Sequence, residues 1–186
     1  MAKTARRMAM ALVAGAMLAA PQGSAASESG STSETRTQDA HVRSVVPALK
    51  LLIDQATERS ATFSQLVETI DASDSYVYVQ DGDCGHGVRA CFVDVWEGGP
   101  GRIMRVIINM HKKADWDLMA SIGHELRHTI EVIANRSIQN NVAKYFFYEK
   151  IGTHGITGTH ETRDAVEAGN AVRSEVRKFN RQAKSE

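Results

Sequence analysis

The sequence predicts an α+β domain: two N-terminal helices, a three-stranded antiparallel meander, one long central helix and two C-terminal helices. Three observations carry this expectation. Apolar residues recur at helical spacing from Val45 to Ile70, alternate at period two from Tyr76 to Met110, and return to helical spacing for the rest of the chain. The period-two runs are separated by turn-forming stretches, Asp81-Gly82-Asp83 with Gly85-His86-Gly87 and then residues 97–101 with three glycines and Pro100. The part able to fold is about 145 residues, enough for one hydrophobic core and one domain.

Val45, Val46, Leu49, Leu52, Ile53 and Ala56 define the first helix, with Pro47 tolerated in its first turn. A second follows, in which Thr62 and Gln65 have the spacing of a capping box and Phe63, Leu66, Val67 and Ile70 form the buried face; Asp71 to Asp74 end it. Residues 76–79, 88–96 and 102–110 are rich in β-branched and aromatic side chains and read as the three strands. Cys84 and Cys91 flank the first turn, so a disulfide there would staple a hairpin. A metal site made with His86 is the weaker alternative, because no second cysteine pair exists. The third strand leads into the central helix and is expected to border any cleft beside it, with an edge open to an extended peptide or covered by an N-terminal helix. Residues 135–150 resume a helical pattern, 151–159 form a glycine-containing loop, and 160–182 make the last helix on a stripe of Ala165, Ala168, Val172, Val176 and Phe179.

The central helix carries His124-Glu125-Leu126-Arg127-His128. Residues four apart on a helix share one face, so His124 and His128 can offer two imidazole nitrogens to one metal ion, and Glu125 stands where a general base would take a proton from a water that the metal activates. Met119, Ile122, Leu126, Ile130 and Ile133 supply the buried stripe, and the two histidines fall off it. A third ligand is therefore required. Extending the stripe of the last helix back by one turn reaches Glu161, a carboxylate aimed into the protein whose burial a metal would offset. Glu149, His154 and His160 remain alternatives; Glu167 is turned off the stripe and Glu175 lies about 20 Å further along the axis.

With these residues placed, the chain resembles the gluzincin branch of the zincin metallopeptidases, in which two motif histidines and a downstream glutamate hold zinc. It is also similar to small exported bacterial proteins of undefined activity, which share an Ile-Gly segment like Ile151-Gly152 and a closing pattern matched by Glu161, Thr162, Ala165, Ala168 and Gly169. The resemblance implies a small zincin-like domain with Zn2+ on His124, His128 and Glu161. Glu131 and Ala134 stand where the metzincin extension needs Gly and His, and Ala165 stands where many gluzincins place a histidine-orienting Asp, with Asp164 one position earlier. Tyr145, Tyr148, His154, His160 and Arg163 are the candidates for stabilising an oxyanion.

At the N-terminus, Lys3, Arg6 and Arg7 precede an apolar run at 8–20 that is short for a bilayer span, and Gly23, Ser24, Ala25 and Ala26 supply a cleavage site. The chain accordingly divides into a signal peptide at 1–26, a disordered Ser- and Thr-rich leader at 27–40 and the metal-binding domain at 41–186, which implies a secreted or periplasmic protein with no membrane association after processing. Cleavage leaves 19 of the 22 basic side chains against 22 acidic ones, a balance that gives no electrostatic footprint for nucleic acid. The expected function is a zinc-dependent hydrolase acting on peptide or protein, with a non-catalytic exported binding module built on a structural zinc as the alternative.

Overall fold

A computed structural model describes residues 40–85, 87–111, 114–154 and 160–185. The proposed signal peptide and nearly all of the leader lie outside the described residues, as do His86 and the side chain of His154. No described helix is long and apolar enough to cross a membrane.

The described residues are mixed α+β, with five helices and a four-stranded mixed sheet. Strand β1 (Val42–Arg43) is followed by α1 (Pro47–Arg59) and α2 (Ala61–Asp71), then β2 (Tyr76–Asp81), β3 (Ala90–Gly98) and β4 (Gly101–Ile108), then α3 (Asp115–Ala134), α4 (Asn141–Ile151), the short strands β5 (Thr153–His154) and β6 (His160–Glu161), and α5 (Arg163–Gln182). The helical stripes expected for α1 and α2 are buried, with Leu49, Ala56, Phe63 and Ile70 at their centre. Val45 is an exception at 82 % exposed, because the helix begins only at Pro47. The cap of α2 also differs from the expected Thr62 box: Ser60 is the N-cap and accepts the Phe63 N–H at 3.0 Å. Glu175 of α5 reinforces that end, accepting from Ser60 Oγ, Thr62 N and Thr62 Oγ1 at 2.6, 3.0 and 2.8 Å.

The sheet corrects the expected meander. Its order is β1-β2-β4-β3; β2 lies parallel to β4, from Tyr76 opposite Ile103 to Asp81 opposite Ile108, and only β3 with β4 is antiparallel. The turn at Gly99, where φ is +67°, is tight enough to make β3 and β4 neighbours. Residues 82–89 instead carry the chain past the end of β4, with Gly82 N–H on Ile108 O at 3.1 Å and Asn109 N–H on Arg89 O at 2.8 Å. The Cys84–Cys91 disulfide therefore closes a crossover rather than a hairpin. Consequently β4 is an interior strand with no free edge, and β3 is the edge.

Strand β4 buries Met104, Val106 and Ile108 on one face against Met119, Ile122 and Leu126 of α3 and the inner faces of α1 and α2 in one core. Arg102 lies on that same buried face. Its Nη1 donates to Val132 O, Asn135 O and Ile138 O at 2.7, 3.0 and 3.1 Å, and its Nη2 to Ile133 O at 2.9 Å, so one guanidinium gathers four carbonyls at and just beyond the C-terminal end of α3, two of which also accept a backbone N–H. The motif helix is thereby fixed on the central strand.

Candidate metal centre

Helix α3 is buried on more than the expected stripe. Glu125 is 6 % and His128 5 % exposed, because α4 and α5 cover the flank on which the motif lies. Gly169 of α5 permits this approach: a Cβ there would stand 3.1 Å from His124 Cβ and 3.3 Å from Ala120 O. On the other flank Tyr148 of α4 packs edge-on to His128, ring centroids 5.2 Å apart, and donates its hydroxyl to His128 O at 2.8 Å.

His124, His128 and Glu161 come together, with ligand atoms within 4.8 Å of one another, and could hold a metal ion. Glu161 Oε2 is 2.9 Å from His124 Nε2 and 4.0 Å from His128 Nε2. It is nonetheless a buried oxygen without a hydrogen-bond partner of good geometry among the described residues. Two imidazoles and a carboxylate converging around an unsatisfied oxygen fit a divalent cation with room for a further ligand. Burial alone would lower the His124 pKa, but the carboxylates of Glu161, Glu125 and Glu131 outweigh it and raise it. His124 in turn holds the Glu161 carboxyl below the usual range, against the opposing effect of burial. The cluster thus favours positive charge at its centre.

The residue selected from helix phase joins the cluster, but not from the expected helix. Glu161 lies in β6, before the Thr162 N-cap, and α5 begins only at Arg163. The β5–β6 pair, with Thr153 opposite Glu161, replaces part of the expected loop and aims the carboxylate. Of the alternatives, His160 Nε2 faces Glu149 Oε1 at 3.3 Å, Glu167 accepts from Arg163 at 2.6 Å, and Glu175 caps α2; none of these joins the cluster.

Sequence reasoning missed the residue that orients His128. Glu131 Oε2 lies 3.0 Å from His128 Nδ1, and Thr162 Oγ1 donates to Glu131 Oε1 at 2.6 Å. Burial would raise the Glu131 carboxyl, but His128 and Thr162 hold it below the usual range. An ionised carboxylate only accepts, so Nδ1 carries the proton and the Nε2 lone pair is left for the centre. The signal was a carboxylate three residues after His128 on the same helix. Asp164, the residue nearest the gluzincin position, pairs instead with Arg127.

A cleft of about 350 Å³ opens on the cluster between β3, α3, α4 and β6. Edge strand β3 borders it, in place of the expected third strand. Helix α4 masks part of that edge: Asn141 accepts the Val95 N–H at 2.9 Å, and Lys144 Nζ donates to Phe92 O and Val93 O at 2.9 and 2.5 Å, where the register is bulged. Burial lowers the Lys144 pKa to about 8, leaving an amine that titrates near neutrality on the cleft wall. Glu125 lies between the histidines in sequence and lines the cleft; burial pushes its carboxyl above the usual carboxylate range. Among the expected oxyanion donors, Tyr145 and His160 line the cleft, Tyr148 is committed to His128 O, and Arg163 is engaged by Glu167.

No protein-family model matches this chain, and neither a curated protein nor a solved structure does.

Proposed function

We propose that this chain is an exported zinc-dependent hydrolase that cleaves peptide bonds. The observation that carries the reading is the convergence of His124, His128 and Glu161 within 4.8 Å, with the buried Glu125 beside them on an open cleft. His124, His128 and Glu161 would hold zinc, which when bound supplies a Lewis acid that polarises a carbonyl and makes water acidic enough to ionise near neutral pH. Glu125, destabilised as an anion by burial, accepts the proton of the attacking water and returns it to the leaving nitrogen. Glu131 keeps the His128 ring in one tautomer. The uncovered part of the β3 edge beside the cleft supports an extended substrate, and the disulfide is compatible with export.

The test has two steps. Purified protein should carry one zinc per chain, lost in His124→Ala, and should generate new termini from a diverse peptide mixture read by mass spectrometry. Glu125→Gln should keep the zinc and lower cleavage by about 10²–10⁴. Equal cleavage by wild type and Glu125→Gln would remove the catalytic reading. Stoichiometric zinc with no cleavage by either would return the protein to a binding module with a structural metal.

A further inference from the structure

A second depression of about 200 Å³ adjoins the cleft and shares Ala90, His124 and Glu125 with it. Its cationic groups are Arg89, which precedes β3, and Arg173 of α5. Both lean on Asp117 in the first turn of α3: Arg89 Nη1 is 2.5 Å from Oδ2, and Arg173 Nη2 is 3.2 Å from Oδ1. Two guanidiniums therefore share one carboxylate, and Asn170, which accepts from Arg173 Nη1 at 2.9 Å, adds no charge. Among these three side chains one positive charge is left over, and Glu125, about 12 Å further along α3, is the carboxylate that lines the depression. The Asp117 side chain is 15 % exposed, whereas those of Arg89 and Arg173 are 32 % and 34 % exposed, so the guanidiniums are the more accessible members of the trio, with Arg173 turning its Nε and Nη2 to Asp117 Oδ1. Arg89 Nε is also buried with no hydrogen-bond partner among the described residues.

Position gives this surplus charge a use. Asp117 and His124 lie about two turns, or about 10 Å, apart along α3. An extended chain rises about 3.3 Å per residue, so a group near the arginines stands about three residues from a bond held at the ligand cluster. We propose that Arg89 and Arg173 form a carboxylate subsite, selecting substrates with an acidic side chain or a free C-terminal carboxylate about three residues from the bond cleaved. The position of that bond rests on the peptidase reading, whereas recognition of the carboxylate can be measured without cleavage. Guanidinium edges suit this chemistry because they pair with carboxylates through two parallel N–H donors.

The experiment uses acetylated pentapeptide pools with Glu or Gln fixed at one position at a time, each as free acid and as C-terminal amide. Zinc-loaded, full-chain Glu125→Gln protein is immobilised and the retained peptides are read by mass spectrometry; wild-type cleavage of the same pools is followed in parallel. Glu pools, or free acids over amides, should be enriched about tenfold, and the enrichment should weaken with salt. Which comparison shows the enrichment distinguishes a side-chain carboxylate from a terminal one. Arg173→Glu should abolish the preference for Glu over Gln pools, or for acids over amides, and Arg173→Lys should retain most of it; a purely structural Arg173 would leave the preference unchanged in both, and thermal melts identify any variant that fails to fold. Acid-dependent retention without wild-type cleavage upholds the subsite and removes the peptidase. Cleavage with equal retention of Glu and Gln pools, and of acids and amides, overturns the subsite and leaves the peptidase standing.

Discussion

Two buried polar groups hold α3, and they are completed in opposite ways. At its C-terminal end, Arg102 brings a positive charge to four backbone carbonyls, each within 3.1 Å of a guanidinium nitrogen. In its middle, Glu125, His128 and the Glu161 oxygen are gathered in the interior, yet Glu161 Oε2 has no hydrogen-bond partner among the described residues. The first arrangement is closed by the protein alone. The second is a surplus of acceptors whose natural complement is a cation, and this contrast separates a polar group that stabilises a fold from one that the fold holds ready for a ligand.

Removing Arg102 should have the largest effect on stability. Arg102→Met takes the side-chain donor away from four carbonyls and should cost about 4 kcal/mol in urea unfolding, while zinc stoichiometry in the folded fraction stays at one. Loss of zinc from this variant would mean that the two regions are not independent. The next effect is that of the metal. Zinc at about 100 times its Kd should stabilise the metal-free protein by about 2.7 kcal/mol, read as a rise in Tm, and Glu161→Ala should abolish most of the rise. A full zinc response in that variant would displace Glu161 from the centre.

Glu131→Gln sharpens the comparison, because it alters the orientation of a ligand without removing one. Zinc affinity should fall about 10- to 100-fold in competition with a chelator, and the protein should otherwise fold normally. The smallest effect belongs to Glu175, a carboxylate completed by protein donors in the manner of Arg102. Burial would raise its pKa, but Ser60 and Thr62 outweigh that and hold it below the usual range. Its contribution is therefore full above the unfolded-state value of about 4.3 and is lost as the pH falls through the lower folded value. Glu175→Gln should cost about 1 kcal/mol at pH 7, and its unfolding curve should merge with that of wild type as the pH falls below about 4.

The sequence exposed what depends on local period and hid what depends on partners distant along the chain. Period-two runs located β2, β3 and β4, but alternation does not say which strand lies beside which, so the parallel pairing of Tyr76 with Ile103 could not be read. The two-residue β1 is too short to show a period. His124, Glu125 and His128 were legible because one helix turn relates them. Glu161 was reached by a correct intuition about burial and an incorrect helix boundary, since the β5–β6 pairing that aims it is itself a long-range choice. Local period says nothing about Arg102 or Lys144; only the strand order and the position of α4 reveal that they hold backbone carbonyls.

The three ligands are also unequal in the order of their synthesis. His124 and His128 belong to a contiguous stretch, β3–β4–α3, that the β3–β4 hairpin and the Arg102 clamp can assemble from neighbouring segments. Glu161 comes from a later stretch, and α5 can seat against His124 only after Gly169 has left the ribosome. A nascent chain therefore presents two of the three candidate ligands before the third exists, and a proteolytic cut in the segment between α4 and β6 would sever the covalent link that keeps Glu161 beside the two histidines.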